Sequence, residues 1–138
     1  MRTAIDTNIL SALWSGEETA EKIRNLLNAA SERGGLVICP LVYAELRAFP
    51  RATASFVDSF LERTGIFVDW DCGKEIWQLA ADRYEKYAAR KRKQRMGEPK
   101  RFLADFIVGA HAQLRADQLI TLDQRAYRKD FPEIVLGP

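Results

Sequence analysis

The chain has 138 residues, 47% of them hydrophobic, with 21 lysines and arginines against 19 acidic residues. This length holds one core without disulfides or structural metal, so we expect a single domain over residues 1–138. One histidine and two distant cysteines, Cys39 and Cys72, argue against zinc, and no apolar run approaches the roughly 18 residues that span a bilayer. We expect a cytoplasmic protein without membrane contact and with reduced thiols.

The spacing of apolar residues predicts strands that alternate with helices. In chain order we first predict a strand at 3–5, a short helix reaching residue 14, a helix at 19–32 and a strand at 36–39. Helices at 41–48 and 52–63, a strand at 65–68 and a helix at 74–93 follow, and the chain then breaks at Gly97-Glu98-Pro99. The last predicted elements are a helix at 102–114, a strand at 118–121, a helical turn at 125–129 and a strand at 134–136. This alternation implies parallel strands and a three-layer α/β/α sandwich.

Four acidic residues fall near one edge of the predicted sheet. Asp6 follows the first strand, Asp123 follows the fourth, and Glu45 and Asp105 lie on helices that adjoin that edge. Ligands of parallel sheets bind at the carboxyl ends of the strands. Each residue also has a structural interpretation: Asp6 as a helix N-cap, Glu45 as a solvent-facing side chain, Asp123 as a turn residue.

Asp105 is the most informative of the four because its helix is apolar nearly all round. Such a helix is buried, and a buried carboxylate is costly unless it is paired or bound to a cation. Gly109, one turn later, would leave space for a ligand or a neighbouring backbone. Alternatively, Asp105 caps the helix start. His111 points to another side of the helix and is expected to be packed or exposed rather than catalytic.

Oxygen-only clusters suit Mg²⁺ or Mn²⁺, and carboxylates that lie close together repel one another unless cations neutralise them. The sequence therefore predicts a metal site with one or two ions. The chain has neither a P-loop nor a dinucleotide-binding motif. Hard cations held by carboxylates at the mouth of a sheet suit phosphoryl transfer.

These motifs resemble those of the PIN-domain nucleases, and the size resembles the VapC-type toxins of toxin–antitoxin pairs. The resemblance covers essentially the whole chain and rests on Asp6-Thr7-Asn8, residues 43–46, residues 105–112 and Thr121-Leu122-Asp123. It implies a five-stranded parallel sheet, a Mg²⁺- or Mn²⁺-dependent ribonuclease, a homodimer and a cognate antitoxin. It also implies that Asp6, Glu45, Asp105 and Asp123 form an acidic quartet, supported by Thr7, Asn8 and Thr121.

A basic segment precedes Asp105 and departs from the family pattern. Residues 83–101 contain nine lysines and arginines against two glutamates. This segment favours contact with an RNA backbone, with Tyr84 or Tyr87 as a stacking face. The candidate RNA-binding residues are Arg90, Lys91, Arg92, Lys93, Arg95, Lys100 and Arg101. For any single residue, a solvated helix end that complements the helix dipole is the alternative.

The sequence leads to a metal-dependent endoribonuclease that hydrolyses RNA, the toxin of a toxin–antitoxin pair. A first alternative is a non-catalytic RNA-binding module with the same fold, whose binding would survive Asp→Asn changes and chelators. A second is a small-molecule phosphohydrolase, which would gain nothing from the basic segment.

Overall fold

The computed structural model describes residues 1–94 and 100–138 of the chain. The predicted break at Gly97-Glu98-Pro99 and the candidate Arg95 lie outside these described residues. The strands are β1 (Thr3–Ile5), β2 (Leu36–Ile38), β3 (Ile66–Val68) and β4 (Gln118–Ile120). The helices are α1 (Thr7–Ser15), α2 (Ala20–Arg33), α3 (Pro40–Arg47), α4 (Ala54–Thr64), α5 (Lys74–Lys93), α6 (Leu103–Arg115) and α7 (Gln124–Asp130).

The four strands form one parallel sheet in the order β3-β2-β1-β4. Every residue of β1, β2 and β4 is buried. Because successive side chains of a strand point to opposite faces, both faces of the sheet are covered. The prediction of an α/β fold with a parallel sheet is confirmed. β3 is an edge strand, and its Phe67 is exposed.

The predicted fifth strand at 134–136 is wrong, since only an isolated parallel bridge joins Leu136 to Leu119. Two backbone hydrogen bonds flank this bridge, from Leu119 N to Val135 O and from Gly137 N to Leu119 O. Just before this bridge the chain bends in a turn, where Ile134 N donates to Phe131 O, and no ladder follows from the single bridge.

Helix α6 is buried along one continuous stretch, from Phe106 to Ala112. Its Gly109 makes room for the buried ring of Phe131, whose atoms would overlap a Cβ placed there. The space predicted for a ligand or a backbone is thus occupied by a side chain. None of the helices in the described residues is both long enough and apolar enough to cross a membrane.

Candidate active site

Asp6 lies at the carboxyl end of the inner strand β1 and is buried. It is the N-cap of α1, and its Oδ1 accepts a 2.8 Å hydrogen bond from Thr7 N. Its Oδ2 accepts two more, from Thr121 Oγ1 at 2.8 Å and from Tyr127 OH at 3.1 Å. The expected N-cap role is therefore present, but a cap alone needs neither hydroxyl.

The pKa of Asp6 is raised to about 6, chiefly by burial and to a small extent by the negative charge of Asp105. The three hydrogen bonds act in the opposite direction because they favour the ionised form. The raised pKa of this carboxyl thus results mainly from its depth in the fold. A cation beside this carboxyl would stabilise its ionised form.

Thr121 and Asn8 connect the end of β4 to the start of α1. Thr121 Oγ1 accepts a 3.0 Å hydrogen bond from Asp123 N while it donates to Asp6. Asn8 Oδ1 accepts from Leu122 N at 3.1 Å, and Asn8 Nδ2 lies 3.5 Å from Thr121 Oγ1. These contacts hold the loop that carries Asp123 against the loop that carries Asp6.

Glu45 reaches the same edge of the sheet through Thr7. It lies on α3, is exposed, and its Oε1 accepts a 2.6 Å hydrogen bond from Thr7 Oγ1. The hydroxyl of Thr7 therefore contacts Glu45, while its backbone N–H holds Asp6. One residue links two members of the predicted quartet.

Asp105 and Asp123 line one open cavity of about 500 Å³. Asp105 Oδ2 lies 3.4 Å from Phe102 N and 3.5 Å from Arg101 Nε, both at the long limit of hydrogen bonding. The first contact is a capping interaction, so the structural interpretation of Asp105 has support as well. Asp123 is exposed and is the N-cap residue of α7, but its side chain makes no capping hydrogen bond.

The chemistry of these donors fits a hard divalent cation, since every one is a carboxylate oxygen. The arrangement is looser than the prediction, because the described residues contain no group of three or more acidic, histidine or cysteine side chains placed to hold a metal ion. Asp6 lies close enough to Asp105 to feel its charge, Glu45 is linked to Thr7, and Asp123 shares a cavity with Asp105.

Part of the basic segment serves the fold. Asp130 is buried and binds two of its arginines, Arg90 Nη2 at 2.9 Å and Arg101 Nη1 at 2.8 Å. Arg83 makes a two-bond ion pair with Glu133, with both distances 2.9 Å. Lys91 also has a contact within the protein, and Arg92, Lys93 and Lys100 are exposed. Some arginines of the basic segment thus form ion pairs within the fold, whereas other cations of the segment are exposed to solvent.

Sequence reasoning missed Tyr127, although its hydroxyl contacts Asp6. The residue stands among charged neighbours on a short helix, and no periodicity marks it as buried. Burial, and after it the charge of Asp6, raises the pKa of Tyr127 well above its ordinary value, so the hydroxyl keeps the proton that it donates. Only the return of α7 to the sheet edge reveals this role.

His111 is buried, and its Nε2 donates a 3.0 Å hydrogen bond to Asp69 Oδ2. Asp69 comes directly after β3, and Arg115 Nη1 lies 3.5 Å from the same oxygen. The expectation that His111 is packed agrees with this position. These contacts link α6 to the end of β3, and we assign the pair to the stability of the fold.

Comparison with known proteins places this arrangement in context. The model of the PIN domain family matches residues 3–132. The fold is similar to a chain in the crystal structure of VapBC2 from Rickettsia felis bound to a DNA fragment from their promoter, with a TM-score of 0.68, 19% identity, and coverage of 99% of this chain and 98% of that chain. It is similar to a chain of a toxin-antitoxin complex from Klebsiella pneumoniae, with a TM-score of 0.64, 20% identity, and coverage of 96% and 95%.

A third similar structure is VapBC-1 from nontypeable Haemophilus influenzae, with a TM-score of 0.64, 19% identity, and coverage of 99% of this chain and 97% of that chain. No curated protein sequence matches the chain. At these identities the structural likeness establishes the fold. It covers nearly the full length of both chains.

Proposed function

Because the chain belongs to the PIN-domain family, we propose that it is a divalent-metal-dependent endoribonuclease and the toxin of a toxin–antitoxin pair. PIN domains are generally nucleases, and this supplies the reaction class. The single observation that supports this function most is the buried Asp6 carboxyl, which three groups hold in place and whose pKa is raised by burial and, to a small extent, by the charge of Asp105. A purely structural N-cap needs neither the two hydroxyl donors nor this burial.

Asp6 and Asp105, with Glu45 and Asp123, would hold one or two Mg²⁺ or Mn²⁺ ions. A bound ion supplies Lewis acidity toward water and the phosphodiester oxygens. Thr121 and Tyr127 orient the Asp6 carboxylate, and Thr7 orients Glu45. Hydrolysis would break the bond between phosphorus and the 3′ oxygen. Water would supply the hydroxyl on the 5′ phosphate and the proton on the 3′ hydroxyl.

The proposed partners are RNA as substrate and a cognate antitoxin as inhibitor, with a homodimer as the assembly. Three of the structures that share this fold are named as toxin–antitoxin or VapBC complexes, which supports the antitoxin. The exposed cations Arg92, Lys93 and Lys100 support RNA as the substrate class.

Cleavage of a mixed pool of labelled structured and single-stranded RNAs tests this function, with Mn²⁺, Mg²⁺ or EDTA. The wild type is compared with Asp6→Asn and with Asp82→Asn, a matched change at an exposed position of α5. We expect metal-dependent cuts by the wild type and Asp82→Asn, and none by Asp6→Asn.

Equal cleavage by all three proteins would indicate a contaminating nuclease. No cleavage, but tight and salt-sensitive binding by all three, would indicate the RNA-binding module instead. Hydrolysis of mononucleotides or sugar phosphates in place of RNA would indicate a phosphohydrolase.

A further inference from the structure

The aromatic ring of Phe102 lines the cavity that contains Asp105 and Asp123, and the residue is 65% exposed. We propose that this ring is a stacking platform for an unpaired nucleobase of RNA beside the acidic residues. The inference rests on the proposed function and deepens it, because it specifies RNA with an unpaired nucleotide at the site.

The backbone around Phe102 is anchored on both sides. The preceding N–H, of Arg101, donates a 2.7 Å hydrogen bond to the buried Tyr87, and the Arg101 guanidinium binds Asp130. On the other side Phe102 is the N-cap residue of α6, which is buried from Phe106 to Ala112. The ring is therefore exposed on an anchored part of the chain. A ligand that covers an exposed aromatic ring removes its apolar surface from water, which favours binding.

Two other exposed aromatic side chains have different surroundings. Arg2 lies over the ring of Phe67, and Trp70 packs edge-to-face on Tyr43. Phe102 is the aromatic residue that lines the cavity shared by two of the predicted catalytic carboxylates. The stacking face predicted at Tyr87 is wrong, since Tyr87 is buried and packs against Tyr84 and Phe106.

The charges around Phe102 complement a nucleotide. The lining of the cavity also contains four cationic residues, Lys100, Arg101, Arg125 and Lys129. Lys100 and Arg125 are exposed, Lys129 has a contact within the protein, and Arg101 binds Asp130. A volume of about 500 Å³ lies in the range of small-ligand sites. Lys100 and Arg125 suit phosphates, and the Phe102 ring suits the face of a base.

Stacking on Phe102 would distinguish unpaired nucleotides from paired ones. Inside a duplex, each base is already stacked on both faces and its neighbours cover it. A base can lie on Phe102 only when it is unpaired or at an end. The site therefore suits single-stranded segments, loops or bulges.

Binding of a short fluorescent oligoadenylate, and of the same strand in a duplex, tests the inference in EDTA at low salt, where no metal-dependent cleavage occurs. The proteins are the wild type, Phe102→Ala, Phe102→Leu, Phe102→Trp and the matched control Trp77→Ala, which changes an exposed aromatic residue of α5. Thermal melts show that each variant is folded.

We expect the single strand to bind the wild type more tightly than the duplex does. Phe102→Ala and Phe102→Leu should weaken this binding by about 5- to 150-fold, the usual range for a lost base–aromatic stack. Phe102→Trp and Trp77→Ala should bind like the wild type.

Wild-type affinity in Phe102→Ala or Phe102→Leu, or equal affinity for duplex and single strand, would overturn the inference. A loss in Phe102→Ala of binding to an antitoxin but not to RNA would also overturn it and would make Phe102 a protein contact. Metal-dependent cleavage by the wild type is scored separately. A folded protein that binds by the Phe102 ring yet never cleaves would refute the nuclease function alone, whereas a wild type that neither binds nor cleaves RNA would refute both.

Discussion

The hydroxyl of Tyr127 donates a 3.1 Å hydrogen bond to Asp6 Oδ2, joining residues that are 121 positions apart. Tyr127 thus connects α7 to the carboxyl end of β1. Its hydrogen bond lowers the pKa of Asp6, which burial raises. Helix α7 therefore contributes directly to the surroundings of the Asp6 carboxyl.

Tyr127→Phe should lower the free energy of unfolding by about 1 kcal/mol, since it removes one buried hydrogen bond to a carboxyl group. Urea denaturation at pH 7.5 measures this change. The matched control is Tyr43→Phe, which removes a 2.9 Å hydrogen bond from an exposed pair with Asp58 and should cost less. Equal losses in both variants would show that the buried position of Asp6 gives its hydrogen bond no special weight.

Asp105→Asn should leave the metal-free stability unchanged or raise it, while abolishing cleavage. The change removes a negative charge that raises the pKa of Asp6, and the amide oxygen can still accept from Phe102 N. Thermal melts in EDTA and the RNA cleavage assay measure the two effects. Asp82→Asn is the control for both. A clear loss of stability in Asp105→Asn would identify this residue as a structural cap.

Mg²⁺ or Mn²⁺ should raise the Tm of the wild type, because an ion that binds only the folded protein stabilises it. At about 100 times the Kd, the expected rise is about 5 to 10 °C. Melts with NaCl at matched ionic strength control for screening, and Asp6→Asn should shift less. The absence of any shift at millimolar ion would contradict a metal site at these carboxylates.

Gly109→Ala should destabilise the fold by about 1 to 3 kcal/mol, because the added methyl group overlaps the buried ring of Phe131. Chemical denaturation measures the loss. Gly35→Ala is the matched control, since a Cβ there meets no atom within 4 Å. A stable Gly109→Ala protein would mean that Phe131 moves aside easily.

His111 should make stability depend on acidity. Burial lowers its pKa, while the adjacent Asp69 raises it and Arg2 and Arg115 lower it. Below the ordinary histidine pKa near 6.5, the unfolded chain therefore binds the extra proton more readily, and stability falls as the pH falls, with a slope of at most about 1.4 kcal/mol per pH unit.

Asp6 contributes the opposite sign, because its raised pKa favours the folded state as the pH falls through about 6. The comparison of the wild type with His111→Gln therefore isolates the histidine. Unfolding free energies from pH 5 to 8 should show that the wild type loses more stability toward acid than the variant does. Parallel curves would contradict the shift at His111.

Much of the fold was predictable from local patterns. Helix α6 was expected from an apolar stretch around Asp105, and β2 from a continuous apolar run, and both are present. The predicted fifth strand is wrong because its apolar residues match a strand, yet the chain bends at Ile134 and meets β4 only at the bridge between Leu136 and Leu119. Where the chain bends depends on its tertiary path and not on residue type alone.

The sequence by itself placed Asp6 and Asp123 after strands, because parallel strands expose their carboxyl ends at one edge. Only the tertiary structure paired Arg101 with Asp130, placed Tyr127 on Asp6 and left Phe102 exposed at the cavity. Neighbours along the chain determine whether a residue is helical or extended. The partners of a buried polar group come from segments distant in sequence, and periodicity carries no information about which segments meet.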